Sequence, residues 1–366
     1  MKKKILIIND IISGGGVENV LYNLALYLYH KEYNITIVTR YYDDSFKNKY
    51  PKNIKYLHLL DKQYQTLRRP FGKINEWLRK GLLYFLAHIE FDIVISIKEG
   101  YMTQWGALCK AKKKYAWVHV DYDYLYWTKH AFGNAKAEVS CMKQFDKVVC
   151  VSNAAKDSVI HTIGDPGNLC VIYNPINVAE IRTKANESTE HIRPKNKKLL
   201  VAVGRLTDQK NFEMLLRCVS AVDAKDKFEL WIVGDGPNRN ELEALIEKNK
   251  LLNVRLLGAQ KNPYPIMKQA DWIVSSALWE SFGLVLQEAV VLGVPVLTTS
   301  CPAVNELFDD DYGIIVENTE TALTDALCLI VRDDNITNKY SNRVKNVDCS
   351  TFYESRLEEI EKMWME

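Results

Sequence analysis

Short apolar runs alternate with amphipathic stretches along the whole chain, and this alternation limits the fold more than any other feature. The pattern predicts strands near 4–8, 34–39, 54–58, 91–97, 115–120, 146–151 and 169–173. A second series follows near 198–203, 228–233, 253–257, 271–276, 294–298 and 313–316. Between them it predicts helices over 17–30, 73–90, 101–112, 133–144 and 153–162, then 211–221, 238–250, 263–270, 284–292, 319–332 and 350–364. Runs such as Ile93-Val94-Ile95 and Trp272-Ile273-Val274 are apolar on both faces, as strands in a covered parallel sheet must be. Strand–helix alternation of that kind predicts doubly wound α/β units.

At 366 residues the chain is too long for one ordinary core, so two domains are expected. The alternation breaks over the polar stretch 174–197, which places the junction there. The expected division is an N-terminal Rossmann-like domain over 1–174, a second over 175–347, and a final helix within 348–366 with the length to cross back onto the first. Two such domains facing each other would leave a cleft outside the carboxyl ends of their strands, where ligands bind.

Composition narrows the class. With 47% hydrophobic residues and 48 basic against 46 acidic side chains, the chain is neither disordered nor fibrous. No apolar run reaches the length needed to span a bilayer, and the Lys-rich start lacks the small-residue cleavage site of a secretory signal. The eight cysteines are scattered with no C-x-x-C pair or zinc spacing, so a reducing, cytoplasmic setting is expected. Residues 1–180 carry a net charge of +8 and residues 181–366 a net −6, an asymmetry that suggests different partners for the two halves.

Four loops at strand ends carry candidate chemistry. Ser13-Gly14-Gly15-Gly16 leads into the first helix, where glycines let the backbone approach a ligand and a helix start favours anions. A dinucleotide fingerprint would place a third glycine at Asn19, and a plain tight turn is an equal reading. In Val203-Gly204-Arg205-Leu206-Thr207-Asp208-Gln209-Lys210-Asn211, the cations Arg205 and Lys210 sit at a carboxyl strand end, as a diphosphate clamp requires. A solvated loop is the alternative. Gly234-Asp235-Gly236-Pro237 reads as a turn rather than a contact. In Glu280-Ser281-Phe282-Gly283-Leu284-Val285-Leu286-Gln287-Glu288-Ala289, the amides of Phe282, Gly283 and Leu284 stand at a helix start. There Glu280 can meet sugar hydroxyls and Glu288 a ribose diol; the bland version makes Glu280 a cap and Glu288 an exposed charge.

These strings together resemble the large retaining glycosyltransferase family of GT-B fold marked by an E-x7-E motif, the glycosyl transferases of group 1. The likeness covers nearly the whole chain. "ESFGLVLQEA" is highly specific, and "VGRLTDQKN" and "VGDGP" are specific in that order. "GGGVENVLYNLA" matches the family's "GGAERVLxxLA" start, with Asn19 replacing a frequent Arg. "YNPIN" matches its hinge, and "NEL…YGIIV" its "PEL…NGLLV", with Asn305 where Pro is common. The resemblance implies roles. Gly15 and Gly16 would pass close to the donor diphosphate. Arg205 and Lys210, beside Gly204, would stabilise the leaving nucleoside diphosphate. Glu288 would hold the ribose, and Glu280 with the amides from Phe282 to Leu284 the donor sugar. His119, in "YAWVHVDYDY", matches the family's cleft histidine near the reacting carbon.

The function expected from the resemblance is retaining transfer of a hexose from a nucleotide sugar, UDP-linked, to a glycan or lipid-linked glycan in cell-surface polysaccharide synthesis such as capsule or O-antigen. A same-fold synthase using a small soluble sugar and a non-catalytic nucleotide-sugar-binding subunit are the alternatives. Cations and amides that meet the charge on the departing phosphate can act without a metal, so no cofactor or metal is expected; Asp121-Tyr122-Asp123 is a D-x-D in the wrong domain for the donor. The acceptor contacts expected in the basic first half are Arg68, Arg69, Lys73, Trp77, Arg79, Lys80 and Lys112 to Lys114. Basic residues with aromatic neighbours can hold a protein on anionic lipid, which would make the cytoplasmic protein peripheral on the inner face of the plasma membrane. A buried helix with a solvated basic edge explains the same residues. Tyr122, Tyr124, Tyr126 and Trp127 could stack on an acceptor sugar or belong to core or rim. Nucleic acid is not an expected partner, because the basic residues are dispersed and no nucleic-acid module is present.

Overall fold

The computed structural model describes residues 2–11, 15–42, 50–61, 88–308 and 311–365. The chain divides into two compact units, one of Met1–Pro175 with Glu354–Glu366, the other of Ile176–Tyr353. The expected helix over 73–90, with Arg68, Arg69, Lys73, Trp77, Arg79 and Lys80, lies outside the described residues apart from its last three positions.

The first unit is built on a seven-stranded sheet of β1 (Lys4–Ile11), β2 (Asn34–Tyr42), β3 (Lys55–Asp61), β4 (Glu90–Ser96), β5 (Lys110–Val118), β6 (Lys147–Cys150) and β7 (Leu169–Val171). Their order is β3-β2-β1-β4-β5-β6-β7, and every described pairing is parallel. Ile5 to Ile8 and Val94 to Ile95 are fully buried, so the two-sided apolar runs do occupy the middle of a covered sheet. The second unit has β8 (Lys198–Val203), β9 (Phe228–Val233), β10 (Val254–Gly258), β11 (Trp272–Ser275), β12 (Val296–Thr299) and β13 (Gly313–Val316). They order as β10-β9-β8-β11-β12-β13, again parallel. Both units are therefore doubly wound. Chain direction across the sheet reverses between β1 and β4 in one and between β8 and β11 in the other, the points where such folds open a crevice for ligands.

The core of the second unit packs the helix Phe212–Ala221 and the helix Glu320–Arg332 on one face of the sheet, around Leu215, Leu216, Val219, Leu323, Leu327 and Ile330. The last helix, Glu354–Met365, belongs to the first unit. Its Glu361 accepts hydrogen bonds from the hydroxyls of Tyr27 at 2.6 Å and Tyr33 at 3.2 Å. Trp364 packs on Tyr115 with ring centroids 6.2 Å apart, and Arg356 donates to the Asn174 carbonyl at 2.7 Å.

Differences from the sequence reading have simple causes. The helix expected over 101–112 ends at Leu108, and Lys110 already opens β5. Lysine favours helices in isolation, and strand pairing with β4 overrides that preference here. The polar stretch 174–197 contains a helix, Val178–Lys184, capped by the Asn177 side chain on the Glu180 amide at 3.0 Å. A further helix, Asp334–Lys345, follows the Glu320–Arg332 helix; its polar face is so wide that the apolar periodicity does not announce it.

Candidate active site

In the second unit the loops at the carboxyl ends of β8, β9 and β11 are joined backbone to backbone. The amides of Gly204 and Leu206 donate to Val233 and Asp235, each at 3.0 Å, and Asn238 donates to the Leu206 carbonyl at 3.1 Å. A β-carbon at Gly234 would stand 1.8 Å from the Gly204 oxygen, and one at Gly236 2.4 Å from the Leu206 oxygen. The Gly234-Asp235-Gly236 turn thus supports the loop that carries Arg205 and Lys210. That loop is held on its other side by the β11 loop. The Leu278 amide donates to Gln209 at 2.8 Å, and the Ser276 hydroxyl donates to the carbonyls of Lys210 and Asn211 at 2.9 and 3.0 Å.

The result is that Lys210 and Glu280, 70 residues apart, meet as an ion pair. The lysine stem lies across Gly204, where a β-carbon would come within 3.1 Å of its Cε. Glu280 is buried and Lys210 half-buried. Arg205 is exposed on the same loop. The helix Leu284–Val291 begins with Gly283 in the left-handed region at φ 67°, a conformation glycine adopts at no steric cost. The amides of Leu286 and Gln287 both return to the Gly283 carbonyl, at 3.0 and 3.1 Å, so Leu284 and Val285 precede the first intrahelical bonds.

Glu288 lies one turn into that helix and is half-buried rather than the exposed charge of the bland reading. Its Oε1 accepts a hydrogen bond from the Tyr264 hydroxyl at 3.0 Å. Burial pushes its carboxyl up to about 7, against the opposing effects of that hydrogen bond and of the Lys184 charge.

In the first unit, Gly15 caps the helix Gly16–His30, and its amide donates to the buried Glu18 carboxylate at 2.8 Å. His119 follows the last residue of β5 directly. Its backbone amide donates to Glu99 Oε2 at 3.0 Å, and the Trp127 indole donates to Glu99 Oε1 at 3.1 Å. Glu99 is buried at the end of β4, next to Gly100, whose φ of 82° and contact with the Trp127 ring leave no room for a side chain. Burial pushes the His119 imidazole down to about 3, helped by the Lys98 charge and opposed by a hydrogen bond to the Ile97 backbone. The ring is therefore neutral at physiological pH, and its Nε2 is buried with no hydrogen-bond partner.

Other expected residues go elsewhere. Tyr122 is buried and donates to Glu138 at 2.7 Å, and Tyr126 packs against it at 5.6 Å; Tyr124 is exposed. The D-x-D serves local structure: Asp121 accepts the Asp123 amide at 3.0 Å, and Asp123 meets His161 at 2.8 Å and Thr162 at 3.0 Å. Among the described residues no group of three His, Cys, Asp or Glu side chains could hold a metal ion. Lys112, Lys113 and Lys114 stand in the amino-terminal half of β5, away from His119 at its carboxyl end. Lys112 pairs with Asp92 at 2.7 Å, Lys113 with Asp146 at 3.5 Å, and Lys114 donates to the Ala107 carbonyl at 2.7 Å.

Two family models match nearly end to end along the chain: Glycosyltransferase Family 4 over residues 14–180 and Glycosyl transferases group 1 over residues 183–347. The second unit thus matches the group 1 glycosyltransferase model and the first unit the family 4 model. It is 34% identical over 179 residues, 48% of its length and 47% of the other's, to an N-acetylgalactosamine-N,N'-diacetylbacillosaminyl-diphospho-undecaprenol 4-alpha-N-acetylgalactosaminyltransferase of Campylobacter jejuni. It is 27% identical over 235 residues, 62% of its length and 49% of the other's, to the phosphatidylinositol N-acetylglucosaminyltransferase GPI3 subunit of Saccharomyces cerevisiae. The chain spans about half the length of these curated relatives. Its fold matches that of Anabaena HepE, solved in complex with UDP and glucose, with a TM-score of 0.79, 16% identity and 99% coverage of both chains. Two parallel-sheet α/β units with these neighbours make the fold GT-B.

The sequence reading missed Glu99 and Tyr264. A lone acid before glycine and a lone tyrosine between two prolines carry no motif. Their roles come from neighbours 20 and 24 positions away.

Proposed function

We propose that this chain transfers a hexose from a nucleotide sugar, UDP-linked, to a glycan or lipid-linked glycan, with retention of anomeric configuration. The observation that carries the reading is the Lys210–Glu280 pair at the β8/β11 switch point, with the start of the Leu284–Val291 helix beside Glu280 in sequence. Cleavage of the sugar–phosphate bond leaves negative charge on the departing diphosphate and positive charge on the sugar. Lys210, Arg205 and the helix-start amides would meet the first charge, and Glu280 the sugar. The acceptor hydroxyl adds to the anomeric carbon as that bond breaks, and its proton passes to the leaving phosphate oxygen. Fixed donors at such a site are each worth about 3 kcal/mol. In this reading the residues themselves neutralise the leaving group, and no metal is assigned.

His119, held neutral at the end of β5, would offer the donor sugar a hydrogen bond without adding charge. Gly15 and Gly16 would face the diphosphate as the family implies. The names of the Campylobacter and yeast relatives specify lipid-linked acceptors, which supports a lipid-linked acceptor here. Among the described residues no helix is long and apolar enough to cross a membrane. The lipid-linked acceptors named for those relatives support peripheral contact at a cytoplasmic membrane face, and a place in cell-surface polysaccharide synthesis, as part of this proposal. Incubation with a panel of nucleotide sugars tests the donor: slow hydrolysis of a UDP-hexose is expected, whereas no binding or consumption of any nucleotide sugar overturns the reading. Proton NMR of the product anomer tests retention, and an inverted product defeats it.

A further inference from the structure

We propose that Tyr264 is a positioning residue whose hydroxyl fixes the Glu288 carboxylate for a ribose cis-diol, making the site selective for ribonucleoside over 2′-deoxyribonucleoside diphosphates. This rests on the reading of Glu288 as the ribose partner. A glutamate's terminal torsion is broad and nearly free in isolation, so a carboxylate that must meet two vicinal hydroxyls gains from being held. The Tyr264 hydroxyl holds it through the 3.0 Å bond to Oε1. Each carboxylate oxygen has two lone pairs, so this bond leaves both able to accept a hydroxyl.

The tyrosine is itself firmly set. It stands between Pro263 and Pro265, whose rings fix the local backbone, and its amide donates to the Asn262 side chain at 3.2 Å. Asn262 in turn donates to the Lys184 carbonyl at 2.9 Å and to Glu187 at 2.8 Å. The charged groups packed near Glu288 from the helix Val178–Lys184 are engaged elsewhere. Lys184 pairs with Glu180 at 2.5 Å, and Arg182 donates to the Val291 carbonyl at 3.3 Å. Burial and the neighbouring carboxylate raise the Tyr264 phenol far above its usual value, so it remains a donor throughout the physiological range.

Calorimetric titration with UDP and 2′-deoxy-UDP tests the proposal. The intact protein should bind UDP at least about tenfold more tightly than its deoxy analogue, the scale of one charged hydrogen bond lost. Tyr264→Phe should weaken UDP about tenfold and 2′-deoxy-UDP less, so that the ratio between them shrinks. A purely structural tyrosine would weaken both equally. An unchanged ratio in Tyr264→Phe, or discrimination under twofold by the intact protein, overturns the proposal; the second measurement needs no variant. Glu288→Gln separates the two layers of the argument. If it binds UDP normally, the ribose role of Glu288 fails. If it loses UDP while Tyr264→Phe keeps the ratio, only the positioning role fails.

Discussion

The carboxyl ends of the two sheets are organised differently. In the second unit three loops are stitched together by main-chain hydrogen bonds, and glycines at 234 and 236 permit the close approach. The side chains of Lys210 and Glu280 then meet because β8 and β11 are neighbours. In the first unit the corresponding corner relies on one buried side chain. Glu99, at the end of β4, satisfies both the His119 amide and the Trp127 indole. Backbone-built sites need glycines and short motifs and so leave a dense signature in sequence. A site held by a lone buried carboxylate leaves almost none.

The largest effect should come from the second unit. Lys210→Ala removes a fixed cation opposite the departing charge and should lower donor turnover by about 10²–10³-fold, measured as nucleoside diphosphate release; a loss under tenfold would break the proposed role of this pair. Gly234→Ala places a β-carbon 1.8 Å from the Gly204 oxygen. It should cost about 3 kcal/mol or more of stability, read by denaturant titration, and an unchanged midpoint would show that the loops are not held as described. In the first unit, Glu99→Gln puts an amide N–H₂ against either the His119 amide or the Trp127 indole. It should destabilise by about 2 kcal/mol and lower turnover through the displaced His119.

Titration should separate the units as well. The Glu288 carboxyl is raised from its ordinary value of 4.5 to about 7, so its charged form dominates only above that pH. UDP affinity should fall as pH drops through about 7. His119 is lowered to about 3 and should contribute no limb between pH 5 and 8. For stability the sign of the Glu288 effect is the reverse. Folding favours the protonated carboxyl, so its contribution is full below the unfolded value and is lost as pH rises through about 7. The smallest effect is expected for Lys112→Ala. Its pair with Asp92 is exposed on the lysine side, where solvent screens the charges, so UDP binding should not change.

The sequence made the succession of strands along the chain readable because buried parallel strands are apolar on both faces; Ile93 to Ile95 and Trp272 to Val274 are such runs. It also marked Lys210 and Glu280, since their motifs sit at strand ends where α/β folds bind ligands. It did not show where Lys112 to Lys114 stand, because a basic run says nothing about which end of a strand it occupies or which aspartates stand across from it. It placed four aromatics after His119 without distinguishing core from rim: Tyr122 and Tyr126 pack together beside Glu138, whereas Tyr124 is exposed. Tyr264 was invisible because its partner is reached only through folding.

The most direct test is a structure of the protein with UDP bound. Diphosphate oxygens are expected against Lys210 and Arg205 and the ribose hydroxyls on Glu288, with Lys210 drawn from Glu280 toward phosphate. UDP seated away from these side chains, with the Lys210–Glu280 pair untouched, would contradict this expectation.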